Sequence, residues 1–463
     1  MNSKSEALTV HTLSRWADRL LGGKKVIECP HMELLGRDHE PPVFTGPGHI
    51  TINPDTRMRF VMHATPRDGS DAFKKIVQAQ QHPYDYRHQF RVNAVGYDGT
   101  EWSGGWTSVT LGEVTDDVWR LSGPIRSLHT GAEGFGVAED SSVELVYDRE
   151  LRLPIPMNMV RTVVRDGKQV LESRSAGSKI VKVLDVEIEF FRDAEREHLW
   201  AVARTSPNFP HPHLENWISE PLNMLLGEIV TPRLVARNFG GGRAFITLHE
   251  ASGRPADSLV ATILREDPLG SGDGLWSLYK DILTFVAMAR DADGGRNFEA
   301  HPLTRFYWEI IQATKGSNWV LCMTLASVVE GLTKLTYPMA PQEANWPEED
   351  IRSLREAIES WKGNDHLRGS VLNYFSRRTT KGLAGVLRSL TREGVISKPQ
   401  TKAWETLRNS SMHGEMVVPW SDQEQDAQIN HLVELTHRMA KLYIESELGK
   451  AASIPPLSEM PNV

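Results

Sequence analysis

The residues best suited to chemistry lie in "KAWETLRNSSMHGEMVVPW", Lys402 to Trp420, where Arg408, Asn409 and His413 follow one another at the end of an amphipathic helical pattern. A histidine exchanges protons in either direction near neutral pH. An arginine supplies a permanent charge and a planar fork of donors for phosphate oxygens. Together they suit metal-independent cleavage of RNA. The ribose 2′-OH must lose a proton, the phosphorane-like state must be stabilised, and the leaving 5′-oxygen must gain a proton. A plainer reading is that Ser410 and Ser411 loosen a helix end, His413 sits at the negative end of the helix dipole, and Gly414 closes the helix in a left-handed cap.

Spacing alone does not choose this pair. Arginine precedes histidine at similar spacing in Arg57/His63, Arg192/His198, Arg204/His211, Arg243/His249 and Arg296/His301. Only "LRNSSMHGE" lies on a capped amphipathic helix, where Ser397 and Gln400 form a capping box and Trp404 and Leu407 are the apolar residues. Asn409 stands one helical turn before His413, placed to orient it or to bind a phosphate oxygen, or simply to bond at the helix end. Residues five apart on a regular helix point roughly 140° from each other. Convergence of Arg408 and His413 therefore needs either a break at Ser410-Ser411 or a facing copy of the motif. Glu330, in an otherwise apolar helical stretch, needs a partner if buried; Arg408 is one candidate, and exposure on the thinner polar side is the alternative.

The elements that must position these residues fall into two regions. Up to about Thr262 short alternating strands such as "HITINPDTRMRFVMHA" and "RAFITLHE" are separated by Gly, Pro, Asp and Asn turns, which predicts an antiparallel β-sandwich-like architecture. A helix over roughly Ser5 to Leu21 precedes them. The Pro-rich "TSPNFPHPHLENW" divides two β subdomains in this reading. After "DPLGSGDG" helical periodicity takes over, with a core helix containing Leu321, Cys322, Leu325, Val328, Val329, Leu332 and Leu335 and capped by Ser317 or Asn318. The expected fold class is α+β and multidomain: residues 1–40 a helix and lead-in, 41–204 a sandwich-like domain, 205–266 a second short β subdomain, 275–449 a four- or five-helix bundle, and 450–463 an unstructured tail.

The 463-residue chain has a formal charge of −8, yet from His366 to His413 nine Lys or Arg stand against two Glu. This basic run is a solvated face or an RNA path; in the second reading Arg377, Arg378, Lys381, Arg388 and Lys402 contact RNA. The longest apolar stretch, Trp319 to Val329, is too short to cross a bilayer, and the N-terminus carries acidic residues without a sustained apolar core. A cytoplasmic protein is expected, with no membrane partner. Cys29 and Cys322 are the two cysteines and support no disulfide framework. Neither "CPHMELLGRDHE" (Cys29, His31, Glu33, His39, Glu40) nor His211 with His213 has a zinc-binding spacing, so no metal and no cofactor are expected.

"LRNSSMHG" after "KAWET", the helix "LASVVEGLTK" and a long terminal helix resemble the HEPN domains, helical bundles whose ribonuclease members carry an R-x4-6-H motif late in the bundle. The resemblance covers roughly Trp276 to Gly449. It implies a catalytic Arg408 and His413, assisted by Asn409 and by Glu330 as the residue that fixes the guanidinium. It also implies a homodimer with a composite cleft. The β-rich half resembles the sensor part of ApeA-type antiphage defence proteins, which implies an abortive-infection toxin restrained or triggered by that half, with a phage-derived trigger. The competing expectations are a non-catalytic HEPN module that dimerises or binds nucleotide or RNA beside a ligand-binding β domain, and a carbohydrate-binding sandwich with a helical assembly domain.

Overall fold

The computed structural model describes residues 11–36, 41–55, 57–115, 118–156, 159–165, 168–175, 177–193, 198–251, 273–291, 293–337, 348–379, 383–412 and 423–451. It divides into two compact units. The first comprises Met1–Leu222, Ile229–Pro255 and Ser271–Ala287; the second comprises Asn223–Glu228, Ala256–Gly270 and Met288–Val463. A β-sheet region is followed by an all-helical region, an α+β arrangement in more than one unit.

The first unit opens with α1 (Thr12–Leu20), then β1 (Lys25–Leu35), β2 (Phe44–Ile52), β3 (Met58–Pro66) and α2 (Gly69–Gln81). β4 (Phe90–Val95), β5 (Glu101–Thr107), β6 (Thr110–Val114), β7 (Trp119–Ile125), β8 (Ser127–Glu133) and β9 (Ser141–Tyr147) follow. β10 (Met159–Arg165) and β11 (Lys168–Ser175) form a separate hairpin. Next come β12 (Ser178–Val183), β13 (Val186–Arg192), β14 (Leu199–Arg204), α3 (Leu214–Leu226), β15 (Leu234–Gly240), β16 (Arg243–His249) and α4 (Asp273–Met288). Fourteen strands make one sheet in the order β12-β13-β14-β9-β15-β16-β8-β5-β4-β1-β2-β3-β7-β6. The sheet curls: Thr107 on β5 donates its hydroxyl to the Pro124 carbonyl on β7, five places away in strand order. Inside the curl the alternate residues Met32, Leu34, Phe44, Phe60, Phe90 and Leu121 are buried together, as the period of two demands.

This architecture corrects three boundaries. β15 and β16 lie inside the sheet, between β9 and β8, so the strands expected in a second subdomain over 205–266 belong to the main sheet. β1 pairs with β2 and β4, so the strand Lys25–Leu35, expected in the lead-in, belongs to the same sheet. Within the main sheet the strands run as one hydrogen-bonded series, where separate sheets of a sandwich were expected; alternation reports half-burial and leaves the sheet partner open. The third boundary concerns α4, expected in the helical bundle. Its Trp276 Nε1 donates to the Pro154 carbonyl (3.1 Å), its Tyr279 hydroxyl to the Ile218 carbonyl (3.1 Å), and Trp276 packs on Phe190, all within the β unit. An apolar helical face does not specify which core it joins.

α1 is held by a device the strand pattern conceals. Glu144 on β9 is 1% exposed, and its carboxylate accepts the Thr12 N–H (3.0 Å) and the Leu13 N–H (2.9 Å), capping a helix whose His11 makes no side-chain cap. Asn238 on β15 donates to Glu144 (3.0 Å) and accepts from the Thr12 hydroxyl (2.7 Å). The buried charge is thus satisfied by a helix N-terminus and an amide.

The helical unit contains α5 (Pro302–Ala313), α6 (Asn318–Thr336), α7 (Glu348–Ser360), α8 (Asp365–Thr379), α9 (Leu383–Arg392), α10 (Lys398–Met412) and α11 (Gln423–Ala451). The basic stretch up to Gly394 is two helices, α8 and α9. Ser317 caps α6, accepting from Val320 N, and the capping box of α10 is present in both directions: Ser397 N–H to Gln400 Oε1 (2.9 Å), Gln400 N–H to Ser397 Oγ (3.4 Å). α6 packs against α5, α10 and α11, and α9 against α6 and α10, while α7 packs chiefly on α8. By length and composition alone α6 is long and apolar enough to cross a membrane, a test that a core helix also passes. Leu321, Cys322, Leu325, Val329 and Leu332 are nevertheless buried within this unit, as in a core helix. Gly331 lets α5 approach, since a Cβ there would collide with the Phe306 ring. The expected tail lies outside the described residues beyond Ala451.

Candidate functional site

α10 presents two faces. Ala403, Trp404 and Leu407 are buried, and Trp404 Nε1 donates to the Ala326 carbonyl of α6 (3.3 Å), fixing the rotation of one helix on the other. That rotation carries Arg408 to Glu330, 78 residues earlier in the chain: Nε donates to Oε1 at 2.5 Å. The side chains are 40% and 28% exposed, so the pair sits at the edge of the core with water on one side. One turn before, Trp404 lies under the guanidinium, its ring centroid 5.4 Å from Cζ. Trp404 was read from sequence as core alone; its spacing of four from Arg408 was the signal for this second role.

The guanidinium is therefore held through Nε by a carboxylate and across its plane by an indole, and no bond from its Nη nitrogens occurs among the described residues. A fork so held is suited to accept an anion, because little side-chain freedom remains to be lost. Glu330 is part-buried beside Arg408 and is not simply an exposed residue on the polar side of α6.

α10 runs unbroken through Ser410 and Ser411 to Met412. The break that would turn Arg408 and His413 towards each other is thus absent up to that residue, and His413 lies outside the described residues. Asn409 is exposed and shares a face with exposed Lys402, seven residues before it. Arg388 on α9 is bound to Glu405 of α10, with Nε and Nη2 at 3.0 and 2.8 Å from one oxygen, so its charge is already matched in part. Arg377 and Arg378 belong to α8 without described side chains, and Lys381 lies outside the described residues.

The rival pair, Arg296 and His301, is occupied otherwise. His301 is the N-cap of α5: its Nδ1 accepts from Leu303 N–H at 3.2 Å, its ring packs on Tyr443, and burial pushes its pKa down to about 4. Arg296 lies over Phe298. A neutral, buried cap does not shuttle protons at an RNA phosphate. The metal-like clusters are also occupied. Burial raises the Cys29 thiol to about 11, and His31 Nε2 bonds to Glu33 at 3.1 Å. His211 Nε2 donates to the Asn238 carbonyl (3.0 Å), and His213 stacks on Trp217. No group of three or more potential metal ligands occurs among the described residues. His39 and Glu40 lie outside them.

No family model, curated protein or solved structure matches the chain.

Proposed function

We propose that the helical unit is a metal-independent endoribonuclease of the HEPN type, acting in the cytoplasm as a toxin of abortive antiphage defence, with the β unit restraining it until a phage-derived trigger binds. The observation that carries this reading is the Glu330-Arg408 pair. It holds a half-exposed guanidinium five residues before His413, where the chemistry needs a fixed cation. The resemblance of "LRNSSMHG" to the R-x4-6-H motif supplies the reaction.

In this mechanism His413 accepts the proton of the ribose 2′-OH as its oxygen attacks the adjacent phosphorus. The P–O5′ bond breaks, and a proton returns to the leaving 5′-oxygen. The products are a 2′,3′-cyclic phosphate and a 5′-hydroxyl end. Arg408 stabilises the charge on the non-bridging oxygens, and Asn409 orients His413 or binds one of those oxygens. Because α10 is regular to Met412, convergence of the two groups is assigned to a second copy of the chain, in a homodimer through the helical unit.

The test is RNA cleavage by the full chain with and without excess EDTA, beside Arg408→Ala and His413→Ala. Cleavage that persists in EDTA, leaves cyclic phosphate ends and disappears in both variants supports the proposal. Parental activity in both variants overturns it. A folded, RNA-binding parent that never cleaves would instead identify a non-catalytic HEPN-like module.

A further inference from the structure

The hairpin of α7 and α8 is well fixed at its turn and uncovered along its length. Asn364 caps α8, its Oδ1 accepting from the His366 and Leu367 N–H groups (2.9 and 3.1 Å), and Arg368 Nη1 donates to the Trp361 carbonyl (2.9 Å). Yet no residue whose burial is described in these helices, over 349–360 and 365–374, is buried. Leu354 is 49% exposed and Trp361 45%, and Leu367, Val371 and Tyr374 are exposed as well. Helices of 13 and 15 residues are marginal in water unless an apolar face is buried. So many large apolar side chains on one hairpin mark a contact surface.

Their spacing selects the occupant. Ile351, Leu354 and Ile358 of α7, with Trp361 directly after it, recur at intervals of three, four and three, the a and d positions of two heptads. A stripe of that period fits a second helix carrying the same stripe. Isoleucine at a with leucine at d favours two parallel strands over larger assemblies. In that pairing Leu354 meets its own counterpart across the two-fold axis, and exposed Asp350 at g faces Arg355 of the partner subunit at e. These charges are opposite. Glu349, Arg352, Glu356 and Glu359 fall at b and f, away from the seam. The stripe is thus complementary to itself, and the chain supplies its own partner. Two heptads are too short for a free-standing coiled coil. The exposed Leu367, Val371 and Tyr374 of α8, at spacings of four and three, add apolar surface from each copy.

We propose that α7 and α8 form an interface with a second copy of this chain, built on a parallel, two-fold seam of α7 against α7. This names a surface for the homodimer of the ribonuclease reading. It uses no residue of the motif, so it is decided by mass in the absence of RNA.

The test is sedimentation velocity of the full chain at micromolar concentration, beside Leu354→Glu, Asp350→Arg, Arg355→Asp and the last two combined. The parent is expected at twice the 52.0 kDa chain mass. Leu354→Glu removes two leucines from each seam and raises the dissociation constant about a hundredfold or more. Its circular-dichroism spectrum stays parental, because Leu354 is half-exposed in the single chain. Asp350→Arg and Arg355→Asp each weaken association by setting like charges together, and the combined variant restores it. Mild oxidation of Leu354→Cys should give a covalent dimer, whereas Glu356→Cys, on the outer face, should not; Cys29 and Cys322 are buried and add no background. A monomeric parent overturns both this interface and the homodimer. A dimer indifferent to Leu354→Glu and to the charge exchange overturns the interface and leaves the homodimer of the ribonuclease reading standing.

Discussion

If Glu330 anchors Arg408, removing both charges costs less than the two single losses added together, and the difference is measurable by a double-mutant cycle with Glu330→Gln, Arg408→Gln and both together. Two unit charges about 4 Å apart attract by ~1 kcal/mol in water and ~4 kcal/mol at the effective dielectric of a protein edge. Desolvation and the ordering of two side chains offset most of this. With 40% and 28% exposure the pair lies between a surface bridge and a buried one. A coupling energy of about 1–1.5 kcal/mol is therefore expected from urea unfolding at pH 7 and low salt, falling as salt is raised. Each single variant destabilises, and the double variant costs less than the two singles added. The functional arm is RNA cleavage: Glu330→Gln lowers kcat with a smaller change in KM, because a loosened guanidinium is misplaced in the transition state. A coupling below about 0.3 kcal/mol, within the scatter of independent sites, refutes the anchoring argument. The pair would then be a crossing of two solvated side chains.

Acid should weaken the helical unit. His301 and His437, with pKa values lowered to about 4 and about 3, bind fewer protons folded than unfolded, so their contribution is complete above about pH 6.5 and is lost as the pH falls through that window. Between pH 6.5 and 5 the loss is about 2 kcal/mol for each, read as a falling urea midpoint; His301→Asn, which can still cap α5, should flatten the slope, and an unaltered slope refutes the assignment. Glu144→Ala removes the acceptors of two α1 N–H groups and should cost about 2–4 kcal/mol, with faster proteolysis near His11; parental stability and proteolysis would mean that α1 docks through its apolar face alone. Replacing Arg377, Arg378 and Lys381 with Gln should weaken RNA binding and flatten its salt dependence by a slope of about 0.7 per lost phosphate contact; an unchanged slope marks that run as a solvated face.

Local signals in the sequence were read well because short-range bonds set them. The Ser397-Gln400 box, the Ser317 cap and the alternation that buries Phe44 and Phe60 each depend on residues within a few positions or on a fixed period. The Arg-Asn of the motif was selected on the same basis, as the pair on a capped amphipathic helix. Long-range choices were not legible. An apolar stripe is equally satisfied by any core of suitable shape, so periodicity could not assign α4 to the β unit or insert β15 and β16 between β9 and β8. Tertiary structure likewise decided which carboxylate meets which donor. Glu144 reaches a helix N-terminus more than 130 residues before it, and Glu330 reaches Arg408 only because Trp404 fixes the rotation of α10 on α6. Pattern fixes a face, whereas register and helix rotation, set by packing of the whole unit, fix the partner.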